Sequence, residues 1–198
     1  GTDPLNPDSA TGLLGRWHFD TTNWFGAQGQ APLAATNLQL VPSWSSNAME
    51  LDTEDGSLTY NIVEGNGHTN LNLQCGTFRF WFCPDWNSAD QAQNESDWPA
   101  LIESTATNVD DGGFWGLYLY PDGTDLYLEF DSEDESGDWS ESLLSPIDWN
   151  SNQWHQIAVS YTATNSALYV DGALVTSAGG ITFFPSFNQF TIGNDIYD

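Results

Sequence analysis

Residues 154–177, WHQIAVSYTATNSALYVDGALVTS, constrain the fold more than any other stretch of the chain. Successive side chains of a strand point to opposite faces, so Ile157, Val159 and Tyr161 share one face while Ala158 and Ser160 share the other. Residues 162–166 are polar and include Asn165, a turn composition. Leu168 and Val170 then alternate with Tyr169. Asp171-Gly172 supplies the residues for a type I′ hairpin turn, which needs positive φ at both central positions. Leu174 and Thr176 resume period two. The segment reads as a three-stranded antiparallel meander, and no helical period accommodates it.

Segments of the same character recur along the chain. Strands are predicted at 14–20, 38–41, 48–51, 57–63, 77–83, 100–104, 114–120, 126–130, 154–161, 167–170, 173–176 and 190–192, separated by turn sequences such as EDGS, PDGTD and AGG. Short strands at this spacing, with no long stretch at helical period, define an antiparallel sandwich or barrel. Longer loops are expected at 20–37, 84–99 and 131–151, and residues 1–12 read as a linker. With 39% hydrophobic residues and ten tryptophans among 198 positions, the chain has enough apolar surface for a packed core.

Charge narrows the partners. Twenty-eight Asp and Glu stand against two arginines, Arg16 and Arg79, with no lysine, for a net charge of −26. Nucleic acid and anionic membrane surfaces would be repelled, whereas divalent cations and a saline medium suit such a chain. No apolar run approaches the roughly 20 residues of a membrane-spanning helix. Cys75 and Cys83 bracket one extended segment, CGTFRFWFC, which holds them roughly 26 Å apart. A disulfide needs Cα atoms within about 7 Å, so both are expected as free thiols.

Several segments, in this order, carry a family resemblance: LLGRWHFD at 13–20, GTFRFWFCPDW at 76–86, WHQIAVSY…ALYVDGALV from 154, and FTIGND at 190–195. Together they resemble the laminin G-like, concanavalin A-like jelly roll, an all-β antiparallel sandwich. The resemblance implies one such domain over residues 13–198 and an extracellular or cell-surface location. The family closes with a further strand after the segment matching 190–195, and this chain stops at Asp198. The expectation is an open sheet edge, completed by another segment or by a protein partner. GTDPLNPDS at the N-terminus resembles the tail of Asp-rich, thrombospondin type 3-like calcium repeats, which implies a secreted, multidomain bacterial parent.

Three kinds of site residue follow. Calcium takes six to eight oxygens, mostly from carboxylates, amides and carbonyls. Asp110 and Asp111 lie in a loop before a strand, and Asp20, Asn194 and Asp195 lie at strand ends. The resemblance implies rim or edge calcium positions at such places. Trp86, Trp98, Trp139 and Trp149 fall in loops, where indoles beside carboxylates or amides suit the C–H faces of sugars. Trp17, Trp81 and Trp154 fall in strands and are assigned to the core.

The third kind is catalytic. EFDSEDE places Glu129, Asp131 and Glu133 at the spacing of laminarinase-type glycoside hydrolases, which set two carboxylates on one strand face. Here Ser132 replaces an apolar residue, and the strand is expected to end near Asp131, leaving Glu133 in a loop. No catalytic residue is therefore assigned. The histidines, His18, His68 and His155, form no zinc or triad pattern. The expected function is non-catalytic binding or adhesion, directed at a polysaccharide or glycoprotein glycan and supported by calcium. The alternatives are an assembly unit completed by a partner strand and a laminarinase-like hydrolase.

Overall fold

The computed structural model describes residues 12–51, 56–94, 98–105, 113–134, 138, 143–182 and 187–193. In chain order the strands are β1 (Ala34–Thr36), β2 (Leu38–Pro42), β3 (Asn47–Leu51), β4 (Ser57–Asn61) and β5 (Gly76–Phe82), followed by a single helical turn, α1 (Ser88–Gln91). Next come β6 (Ala100–Thr105), β7 (Phe114–Pro121), β8 (Leu126–Glu133), β9 (Leu143–Ile147), β10 (His155–Tyr161), β11 (Ser166–Val170), β12 (Ala173–Ala178) and β13 (Gln189–Gly193). The architecture is an all-β, antiparallel, concanavalin A-like jelly-roll sandwich. Its contacts cluster into two compact units.

One unit spans Gly1–Asn72 and Asn188–Ile196. Within it β4 pairs with β1 on one side and β13 on the other, and β2 and β3 form a separate hairpin. The register sets Thr59 opposite Thr191, their hydroxyls 3.2 Å apart. Tyr60 and Phe190 stack with ring centroids 5.6 Å apart, and Trp17 packs on both rings. The Tyr60 hydroxyl donates to the Trp24 carbonyl, and burial pushes this phenol well above its ordinary range.

The predicted strand at 14–20 does not form; these residues join no ladder. Phe19 takes a positive φ of 55°, which breaks the extended run. Side chains instead hold the segment: the Leu14 carbonyl accepts from His68 Nε2 at 2.7 Å and from Gln30 Nε2 at 3.4 Å. Gln30 is buried to 1% exposure, and its Oε1 accepts the Gln28 N–H. Gly26 leaves the room that this amide fills.

The other unit spans Leu73–Phe187 with Tyr197–Asp198. It contains a sheet in the order β12-β11-β10-β5 and a run of four strands, β6-β7-β8-β9. Alternation decides which residues are buried. Phe78 of β5 and Tyr161 of β10 meet Trp115 of β7 and Phe130 of β8, with centroids 5.4–6.2 Å apart. Leu117, Leu119, Leu126, Leu128, Leu143, Ile157, Val159 and Leu168 complete the filling between the two layers. Each such side chain contributes about 1.5–3 kcal/mol relative to staying exposed.

The hairpin forms as expected, with Asp171 at φ 51° and Gly172 at φ 80°. Both cysteines are free thiols. Strand β1 and the α1 turn fall inside the predicted loops 20–37 and 84–99, and two strands of this unit also depart from expectation. Strand β9 falls inside the predicted loop 131–151, where Pro146 argues against a ladder; its pairing with β8 nevertheless buries Leu143, Ser145 and Ile147 in strict alternation. Strand β8 runs to Glu133 rather than ending near Asp131, because Phe114, Trp115 and Gly116 continue the pairing opposite Glu133, Ser132 and Asp131.

Candidate functional site

The outward face of β6-β7-β8-β9 gathers the side chains with the most binding chemistry. Inward alternation on β7 takes Trp115, Leu117 and Leu119, so Phe114, Gly116, Tyr118 and Tyr120 look outward. On β8 the inward set is Leu126, Leu128, Phe130 and Ser132, leaving Tyr127, Glu129, Asp131 and Glu133 outward. The registers stack these into rows: Tyr120–Tyr127–Pro146, then Tyr118–Glu129–Leu144, then Glu103–Gly116–Asp131, then Phe114–Glu133. Tyr120 and Tyr127 occupy one end of the face, and Glu103, Asp131 and Glu133, with Phe114 beside them, the other.

Trp98 extends the aromatic end. Its ring stands edge-on against Tyr120 at 4.9 Å, Tyr120 lies 5.9 Å from Tyr127, and Trp98 remains 51% exposed. The β7–β8 turn presents Asp122 beside them. Asp122 Oδ1 accepts the N–H groups of Asp125 at 2.7 Å and Thr124 at 2.9 Å, and these bonds hold its carboxyl below the ordinary carboxylate range. Desolvation, then the charges of Asp122 and Asp125, push the Tyr127 phenol up, which keeps it a hydrogen-bond donor. Flat rings bordered by carboxylates and a phenol match sugars, which offer C–H faces and hydroxyls.

At the other end, Glu103 is 1% exposed and Asp131 is 4% exposed. Between them Gly116 has no side chain, and the Tyr118 ring lies over it; a Cβ at 116 would sit 2.7 Å from the Tyr118 hydroxyl oxygen. That hydroxyl donates to Glu103 Oε2 at 3.4 Å. Glu129, Asp131 and Glu133 share this face on one continuous strand, whereas the sequence places the strand end near Asp131 and Glu133 in a loop.

The sequence-derived tryptophans divide. Trp98 is presented to solvent as described, and Trp86 is half-buried with its ring 6.1 Å from Phe82. Trp149 is buried: it stacks on His155, its N–H bonds to Ser88 Oγ at 2.9 Å, and its carbonyl accepts the Ser88 N–H. It anchors the 84–99 segment rather than presenting a ring. Trp139 lies outside the described residues. Trp81, assigned to the core from its place in a strand, is 48% exposed, because Phe78, Phe80 and Phe82 take the inward positions of β5.

Of the calcium candidates, Asp110, Asp111, Asn194 and Asp195 lie outside the described residues, as does the segment after Gly193 that bears on the open edge. Asp20 is exposed and binds Asn47, whose side-chain amide reaches the Asp20 carbonyl at 3.1 Å. Among the described residues no group of three His, Cys, Asp or Glu side chains is placed to hold a metal. One carboxylate supplies at most two of the oxygens calcium needs. A small polar cleft of about 160 Å³ lies between Gln28, Glu64, Asn66 and His68. Its Gln30 and His68 side chains are already engaged in holding the Leu14 segment.

The fold is an antiparallel β-sandwich of the concanavalin A-like type. The family description "Concanavalin A-like lectin/glucanases superfamily" matches residues 55–198, and the chain belongs to that superfamily, in its laminin G branch. No curated protein matches the sequence. Among solved structures the chain is similar to the binding domain of Paraclostridial Mosquitocidal Protein 1, at 16% identity and a TM-score of 0.62, covering 92% of this chain and 47% of that one. Domain 4 of AbnA, a GH43 extracellular arabinanase from Geobacillus stearothermophilus in complex with arabinotriose, gives 14% identity and a TM-score of 0.63, covering 94% and 85%. The binding domain of botulinum neurotoxin serotype G gives 12% and 0.58, covering 94% and 44%. The chain thus spans about half the length of the two toxin domains. No helix among the described residues is long and apolar enough to cross a membrane.

Proposed function

We propose that this domain is a non-catalytic carbohydrate-binding module acting outside the cell, as an adhesive or targeting part of a larger secreted or surface protein. The carrying observation is the half-exposed Trp98 ring set against Tyr120 and Tyr127 on the carboxylate-bearing face. A polysaccharide chain lies along that face, with one sugar stacked on Trp98 and neighbouring hydroxyls bonded to Asp122, Tyr127 and Glu129. Two observations on relatives support the reading: two of the similar structures are binding domains of toxins, and a third is described with arabinotriose bound. Calcium belongs to the proposal as an ion that orders acidic loops, with Asp20, Asp110, Asp111, Asn194 and Asp195 as its candidate ligands. The test is retention on a panel of neutral polysaccharides, arabinan included, by affinity electrophoresis. Trp98→Ala is expected to weaken retention about tenfold, equivalent to about 1.4 kcal/mol, at unchanged stability.

A second reading has one observation in its favour: Glu129 and Glu133 lie on the same face of β8. Four residues along a strand separate Cα atoms by about 13 Å, while retaining hydrolysis needs carboxyls about 5–5.5 Å apart. The two side chains must therefore lean together over Asp131 for catalysis. Release of reducing sugar from a β-glucan, abolished in Glu129→Gln and Glu133→Gln, would establish this reading in place of the first.

A further inference from the structure

The sheet β12-β11-β10-β5 has a second face, turned away from the core, with a composition unlike the rest of the protein. None of its four strands carries an aspartate or glutamate, although 28 of the 198 residues are acidic. One of the two arginines, Arg79, lies on it, exposed and without an ion-pair partner among the described residues. Two residues further along the same face stands Trp81, 48% exposed.

The registers show what lies beside them. Arg79 faces Ala158, which faces Tyr169, which faces Leu174. Thr77 faces Ser160, which faces Ala167. Gln156 lies opposite Trp81. The middle strand therefore contributes a low floor, Ala158 and Ser160, between the tall side chains Arg79 and Trp81 on edge strand β5 and Tyr169 on β11. Adjacent strands are about 4.8 Å apart, so the walls stand roughly 10 Å from each other, a shallow slot that suits one extended chain.

From this geometry we infer a second binding site, for a carboxylate-bearing polysaccharide such as a polyuronate, distinct from the face that carries Trp98. An indole stacks on the C–H face of a sugar ring, and a guanidinium pairs a carboxylate in a two-bonded fork. Arg79 and Trp81, two residues apart on one strand face, offer both to the same or adjacent sugars, and Gln156 adds an amide for hydroxyls. Charge decides the class of occupant. On a protein of net charge −26, a cation with no carboxylate at ion-pair distance among the described residues is where a carboxylate ligand can approach. The net charge repels this polyanion as it does nucleic acid, so binding is expected only where salt screens that field, beyond about 8 Å at physiological strength. Two acids flank the strands: Asp85, three residues beyond the end of β5, and Asp171 in the β11–β12 turn, which already binds His155 at 2.9 Å and the Gln156 N–H at 2.8 Å.

The test is affinity electrophoresis of the whole chain in gels containing polygalacturonate or its carboxyl-reduced, neutral form, alongside Arg79→Ala, Trp81→Ala and Trp98→Ala. The wild type is expected to be retarded more by polygalacturonate than by the neutral polymer. Arg79→Ala should abolish that preference, at a cost of about tenfold in affinity for the charged polymer. Trp81→Ala should lose retention on polygalacturonate, and Trp98→Ala should leave the polygalacturonate response intact, so failure here is separable from failure of the Trp98 face. Both β5 substitutions point away from the core, and thermal midpoints check that the fold is kept. Equal retardation of wild type, Arg79→Ala and Trp81→Ala would overturn the proposal. So would sedimentation showing that the chain dimerises and that Trp81→Ala dissolves the dimer, because the slot would then be occupied by a second copy.

Discussion

The Trp149 indole lies flat on the His155 ring, with centroids 4.3 Å apart and planes 8° from parallel. The pair joins the short β9–β10 connection to the first residue of β10, and Ser88 fastens the Trp149 backbone through two hydrogen bonds. Trp149 therefore works in stability. Trp149→Ala should destabilise the domain by about 3–5 kcal/mol, the usual range for a buried tryptophan. Urea denaturation measures it, and polysaccharide retention scaled to the folded fraction should not change.

His155 also shapes the pH response through Asp171. Partial burial alone would raise that carboxyl, but the hydrogen bond from His155, the Gln156 N–H and the charge of the imidazole together hold it below the ordinary range. A depressed folded-state value stabilises the protein above the unfolded value of about 3.9, and this stability is lost as pH falls through the folded value. Asp171→Asn should therefore lower the thermal midpoint at neutral pH, and the gap should close in acid below the ordinary carboxylate range. The side chain is 51% exposed, so the difference should stay below about 1 kcal/mol.

Gly116 tests the floor of the carboxylate end. Its missing Cβ is what lets Tyr118 lie across the row between Glu103 and Asp131. Gly116→Ala must displace that ring, and should cost about 1–3 kcal/mol as an overpacking change. Neutral-polysaccharide retention should fall beyond what the stability loss explains, because Tyr118 borders Glu129 in the next row. Gly65→Ala, which meets open space, is the matched control.

Calcium makes a separate prediction. If the acidic loops hold the ion, millimolar calcium should raise the thermal midpoint and a chelator should return it, since a ligand that binds only the folded state stabilises it. Magnesium, which prefers a rigid octahedral shell, should do less. A midpoint indifferent to both ions removes calcium from the account.

Much of the sandwich was legible because period two is a strong signal wherever one strand face is buried. Ile157, Val159 and Tyr161 point inward as alternation requires, and the Asp171-Gly172 turn has the φ values its residues imply. Strand β9 was hidden by Pro146, which an edge position tolerates. The predicted strand at 14–20 was lost to long-range side-chain bonds from Gln30 and His68, partners that no local pattern reveals. Trp81 was assigned inward because tryptophan is usually buried; counting alternate positions from Phe78 and Phe80 would have turned it outward. The Trp98–Tyr120–Tyr127 ledge joins a loop to two strands, so only the register brings it together.

The measurement that bears most directly on the proposed glycan-binding face is a proton–nitrogen correlation spectrum of the domain, titrated with an oligosaccharide of whichever neutral polymer retains it. The account predicts that the indole N–H signal of Trp98 and the backbone amides of Tyr120, Asp122 and Tyr127 move with a single saturating curve, while the Trp149 indole stays in place. Shifts confined to other surfaces, with the Trp98 signal unmoved at saturation, would contradict it.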